Sequence, residues 1–227
     1  MKEVAMMKTL KKPFHQVETI KGMSYGGNQA WLPYRFLKNM GCGVVSAADV
    51  IMYIRGKRQL TRIEYVDYAK HLWKYYLPVI PGFGMNGLTL MIGLNRYFVR
   101  NGLPYRACWM LSAKKMISRI ENMMENDIPA ILAIGPNFPL FWKKEMLCLY
   151  RKEKGEMVPG TKVKAHFVTV TGIDQEWIRI SSWGKEYYIK IAEYEAYTRE
   201  KSSSLISNII YVKNIKKDDS RRFKIGN

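Results

Sequence analysis

A chain of 227 residues that is 48% hydrophobic and 13% aromatic is long enough for one domain with a sizeable core, and 37 Lys and Arg against 19 Asp and Glu set it at +18. No apolar run reaches the roughly 20 residues of a membrane span. The early lysines Lys2, Lys8, Lys11 and Lys12 are not followed by a signal-peptide core, so secretion is not expected. Cys42, Cys108 and Cys148 fit neither an even disulfide count nor paired metal-ligand spacing, which points to a reducing cytoplasm and to no metal or other cofactor. The basic balance attracts polyanions without naming one.

The first forty residues mix glycine, proline and aromatics and read as an irregular or strand-bearing lead-in, with 1–24 its irregular part. From Cys42 to Arg55, Val44, Ala47, Ala48, Ile51 and Ile54 recur at helical spacing, with Gly56 as a left-handed cap. Thr61 and Glu64 form a capping-box pattern opening a second helix to about Tyr76. A Pro/Gly loop from Pro78 to Gly87 precedes a helix over Leu88–Asn101, and Ser112 is placed to cap a fourth reaching Glu125. Beyond Pro129 the pattern changes to short runs of branched and aromatic residues: Ala130–Ile134, Met146–Arg151, His166–Thr171, Trp177–Ser182, Tyr187–Lys190 and Ile209–Val212. Gly172, Asp174 and Gln175 mark a hairpin, and Glu193–Glu200 a short helix. Helices first and an antiparallel sheet afterwards predict an α+β domain over residues 1–212, with a basic tail over 213–227.

Cys42 lies between Gly41 and Gly43 where the lead-in becomes a helix. A thiol there meets unpaired backbone N–H groups and the positive end of the helix dipole, both of which favour the thiolate. A buried structural cysteine is the plain alternative. Cys108 and Cys148 sit in apolar runs and read as core. Among the histidines, His166 opens the strand His166–Gly172 and would be held rigidly, as a base must be if it is to sit about 3 Å from the proton it takes. His15 lies in the lead-in, and His71 on an aromatic helix face where packing is the expected role.

These residues resemble the papain-like cysteine peptidases, in particular the bacterial branch that includes the leader peptidases of bacteriocin exporters. The resemblance rests on Gly41-Cys42-Gly43 opening a helix, His166-Phe-Val-Thr-Val-Thr-Gly172 on a strand and Ile180-Ser181-Ser182-Trp183-Gly184 one hairpin later, and it spans about residues 25 to 190. It implies Cys42 as nucleophile, His166 as base and Ser181 at the position of the Asn or Asp that orients the imidazole. Ser182 and Asp174 are the substitutes for that role. It also implies an oxyanion hole built from the Cys42 N–H and an upstream side-chain amide, Gln29 or Asn39, and Trp183 as a cover over the imidazole. Phe83, Met85, Phe138 and Trp142 lie in Pro/Gly-rich loops and are candidate pocket or lid residues, with core packing the plain alternative, and residues 135–142 are expected to border the cleft. The implied reaction is cleavage of a peptide or amide bond in a peptide or protein substrate. An acyltransferase on the same site and an inactive peptide-binding module are the alternatives. Nucleic-acid binding is a third, drawn from the charge and the basic-aromatic stretches Lys70–Tyr76 and Phe141–Lys144. Oligomeric state is left open.

Overall fold

The computed structural model describes residues 6–82, 84–110, 115–135, 146–203 and 206–216. They form an α+β arrangement in which a long antiparallel sheet carries helices. In chain order the elements are β1 (Lys8–Thr9), β2 (Gln16–Thr19), β3 (Gly22–Tyr25), a 3-10 turn (Gln29–Trp31), α1 (Arg35–Met40), α2 (Cys42–Ile54), β4 (Gln59–Thr61), α3 (Arg62–Tyr75), α4 (Gly87–Arg100), β5 (Tyr105–Trp109), α5 (Met116–Glu125), β6 (Ala130–Ile134), β7 (Leu147–Glu153), β8 (Glu156–Val163), β9 (His166–Ile173), β10 (Trp177–Ser182), β11 (Lys185–Lys190), α6 (Ile191–Lys201) and β12 (Ile209–Asn214). The main sheet runs β5-β12-β6-β9-β10-β11-β7-β8, with β1 also on β9, and a small sheet runs β3-β2-β4.

Helix α2 forms because its apolar residues come without a proline or an internal glycine beyond Gly43, and it ends where Gly56 takes φ +75°. Gly43 through Tyr53 are all buried, so it is a central rather than an amphipathic helix. Each buried Val or Ile on it is worth about 1.5–3 kcal/mol in apolar transfer. Strand β9, buried at every position, lies against it. The capping box on α3 is complete, since Thr61 Oγ1 accepts from Glu64 N at 3.3 Å and Glu64 Oε2 accepts from Thr61 N at 2.7 Å. Asp174 closes the β9–β10 hairpin by accepting from Glu176 N and Trp177 N at 2.8 and 2.7 Å, which leaves it no part beside His166.

Several elements differ from the sequence reading, among them α1, β4 and β5, which were not expected. Strand β8 was not expected because Pro159, Gly160 and its charged residues break the usual strand signature; it sits at the sheet edge, where a proline is tolerated. The first forty residues, which read as irregular or strand-bearing, carry the three short strands β1–β3. The tail expected from residue 213 is strand at first, with Lys213 opposite Arg106 and Asn214 opposite Tyr105. Ser112, residues 136–142, Phe83 and the stretch 141–144 lie outside the described residues. No helix among the described residues is long and apolar enough to cross a membrane.

Candidate active site

Cys42 is the first residue of α2 and is partly buried. Burial pushes its thiol up from the ordinary value, against the pull of the Phe167, Gly43 and Cys42 backbone N–H groups that face the sulfur. The helix-terminus argument from sequence therefore names a real force but the weaker one, and the resting group is the thiol. The same contact places Cys42 at the start of β9, one residue from His166. A Cβ built on Gly43 would come within 3.3 Å of the Phe167 ring, so the glycine lets helix and strand approach this closely.

His166 is buried and its imidazole is lowered by burial to about 4, so it is neutral near pH 7 and able to accept a proton. Its Nε2 lies 2.7 Å from Ser182 Oγ, and its ring stacks on Trp183 with centroids 4.5 Å apart and 17° between planes. With Nε2 engaged, Nδ1 is the nitrogen left to act as base. Among the described residues no hydrogen bond joins Cys42 to His166 directly. Resting sites are often looser than reacting ones.

Ser182, not Ser181, holds the imidazole. Adjacent strand residues point to opposite faces, so both serines cannot serve one histidine. Ser181 lies opposite Thr169 on β9 and turns the other way with it, donating to Tyr25 O at 2.8 Å and lying 3.4 Å from Asp49 Oδ2. The one-residue offset is the reason that the resemblance misassigned it. Trp183 and Gly184 form the two-residue β10–β11 loop, with φ of +50° and +73°, a turn that the twist of a hairpin favours. Positive φ at a tryptophan is strained, and the lead-in holds it: Asn28 Nδ2 donates to Trp183 O at 2.9 Å, and Gly184 N donates to Gly27 O at 2.8 Å.

Gln29 is in the same corner. Its Nε2 donates at 2.8 Å to the carbonyl of Lys38, four residues before Cys42. That bond uses one of the two amide hydrogens and ties Gln29 to the end of α1, just before Cys42; the second hydrogen is left for the expected oxyanion role. Asn39 is exposed. Cys108 and Cys148 are free and partly buried on β5 and β7.

The sequence reading passed over a buried centre beneath these residues. Asp49, two turns along α2 from Cys42, is 1% exposed and accepts from Gly27 N at 3.0 Å and Tyr65 OH at 2.6 Å; His15 Nε2 is 3.0 Å away and Thr169 Oγ1 3.3 Å. The signal was available, since a carboxylate in Ala47-Ala48-Asp49-Val50-Ile51 sits where the helical period demands burial. This centre joins α2 to β9, β10, α3 and the lead-in. No group of three or more His, Cys, Asp and Glu that could hold a metal occurs among the described residues. A comparison with models of known protein families finds no match, and no curated protein matches the chain in sequence.

Proposed function

We propose that this chain is a papain-like thiol hydrolase that cleaves a peptide or amide bond, with Cys42 as nucleophile, His166 as base and Ser182 as the residue that orients the base. The observation that carries this reading is the meeting of the first residue of α2 with the start of β9, where a neutral imidazole is pinned by Ser182 and Trp183.

In this reaction His166 Nδ1 takes the thiol proton as the sulfur attacks the substrate carbonyl carbon, and the carbonyl electrons move to oxygen. The Cys42 N–H at the open end of α2 is placed to receive that oxyanion. Collapse expels the amine, which takes the proton from His166, and leaves a thioester on Cys42. Water then gives its proton to His166 and attacks the thioester, releasing the acid and restoring the thiol. Because burial raises the thiol and lowers the imidazole, deprotonation belongs to the attack rather than preceding it. With an amine in place of water the same steps give acyl transfer.

A second reading, a peptide-binding module without chemistry, is favoured by the raised Cys42 thiol. A fluorogenic peptide library separates the two. The hydrolase reading expects turnover that disappears in Cys42→Ala. Saturable peptide binding by both proteins without turnover supports the module.

A further inference from the structure

At the opposite end of α2, about 18 Å from Cys42 by the helix rise, lies a cavity of about 390 Å³ that the proposed reaction does not use. Its walls carry Lys12, Arg58, Arg119 and Lys213, which come from four separate segments of the chain. Asp127 is the one carboxylate in the lining, and its Oδ1 accepts from Lys11 N at 2.8 Å, from Lys12 N at 3.4 Å and from the Tyr53 hydroxyl. None of the four cations forms an ion pair with a carboxylate among the described residues.

Stabilising helix ends is the competing explanation, because α2 and α5 both finish here. It accounts for Arg58, which donates to the carbonyls of Tyr53 and Lys57 at 3.0 and 3.2 Å. It does not account for Arg119, in the first half of α5, or for Lys213 on a strand. Four cations exceed one carboxylate and two helix C-termini of about half a negative charge each, which leaves the cavity about two charges positive. The guanidinium groups are also fixed in orientation: Arg58 lies 4.3 Å over the Tyr53 ring and Arg119 4.7 Å over Tyr211. Planar donors held on aromatic faces suit phosphate oxygens. The remaining wall carries Tyr105, whose hydroxyl is hydrogen-bonded to Asn214, and the amide of Asn122, whose Oδ1 accepts from Asn126 Nδ2 at 3.3 Å and whose Nδ2 can donate to the edge of a planar organic group stacked beside the tyrosine.

We infer that this cavity binds a phosphorylated small molecule of nucleotide size, with its phosphates on Arg119 and Lys213. The volume falls within the usual range of about 300–1,000 Å³ for small-molecule sites.

Isothermal titration of the full chain with ADP, pyrophosphate and adenosine tests this. ADP should bind saturably, more tightly than pyrophosphate, and adenosine should bind weakly. Arg119→Gln and Lys213→Gln should each weaken ADP about tenfold, as loss of one charge-assisted hydrogen bond does. Their circular dichroism should stay that of wild type, and Cys42→Ala should bind ADP unchanged, whether or not the thiol reaction exists. Absence of saturable ADP binding at millimolar concentration would overturn the proposal. So would ADP affinity unmoved by both substitutions, or pyrophosphate binding as tightly as ADP, which would leave the tyrosine and amide wall without a ligand.

Discussion

Replacing Asp49 by alanine removes the acceptor around which α2, α3, β9, β10 and the lead-in are assembled. Its Oδ1 serves His15, Gly27 and Tyr65, and its Oδ2 serves Thr169 and Ser181. Two of these donors have another acceptor, since Tyr65 OH lies 3.2 Å from Val45 O and Ser181 Oγ 2.8 Å from Tyr25 O. His15 Nε2, Gly27 N and Thr169 Oγ1 would be stranded in a buried site, at about 1–3 kcal/mol each. Loss of a desolvated carboxylate and entry of water offset part of this, so we predict a net destabilisation of about 4 kcal/mol for Asp49→Ala. Asp49→Asn keeps the volume and an oxygen at the Oδ1 position, while its amide can donate to the Thr169 and Ser181 hydroxyls. Its cost should be about 1–2 kcal/mol. Urea unfolding followed by tryptophan fluorescence, with unchanged m, measures both. A loss below about 1 kcal/mol for Asp49→Ala would refute the reasoning, because three stranded donors cannot be that cheap.

The His166 imidazole titrates at about 4 when folded and near 6.5 when unfolded. The unfolded chain therefore binds the extra proton in that window, so stability is complete above pH 6.5 and falls as pH drops toward 4. Between pH 7.5 and 4.5 this group should remove about 2.5 kcal/mol, and urea titrations of His166→Gln should lack that part of the slope. Ser182→Ala should lower kcat/KM about tenfold toward a peptide substrate with little effect on KM, whereas Ser181→Ala should alter stability more than turnover. Gly184→Ala would place a Cβ 2.3 Å from Ser24 Oγ at a φ of +73°, and should cost about 1–3 kcal/mol in unfolding free energy.

The elements legible in the sequence were those whose local signals agree with their packing. The α2 helix combines a helical apolar period with Gly56 at its end, and α3 declares its start through Thr61 and Glu64; both signals act within a few residues. Strands β6 and β9 were legible as apolar runs because they are buried on both faces. What was not legible depends on pairing across the chain. Ser181 and Ser182 are chemically identical neighbours, and only the register with Thr169 decides which one faces the imidazole. The balance at Cys42 was misread for a similar reason, since a helix terminus is visible in sequence but the desolvation supplied by distant elements is not. The segment just before Gln29 also clamps the Trp183–Gly184 turn through Gly27 and Asn28, a long-range use that no local pattern reveals.

The most direct test of the central claim is covalent capture at the thiol by a peptidyl electrophile such as a chloromethyl ketone, read by intact mass and peptide mapping near pH 7. The account predicts one adduct per chain, on Cys42, forming about a hundredfold more slowly in His166→Ala, with Cys108 and Cys148 unmodified. An adduct rate at Cys42 that is the same with and without His166, or modification of Cys108 and Cys148 at equal rates, would contradict it.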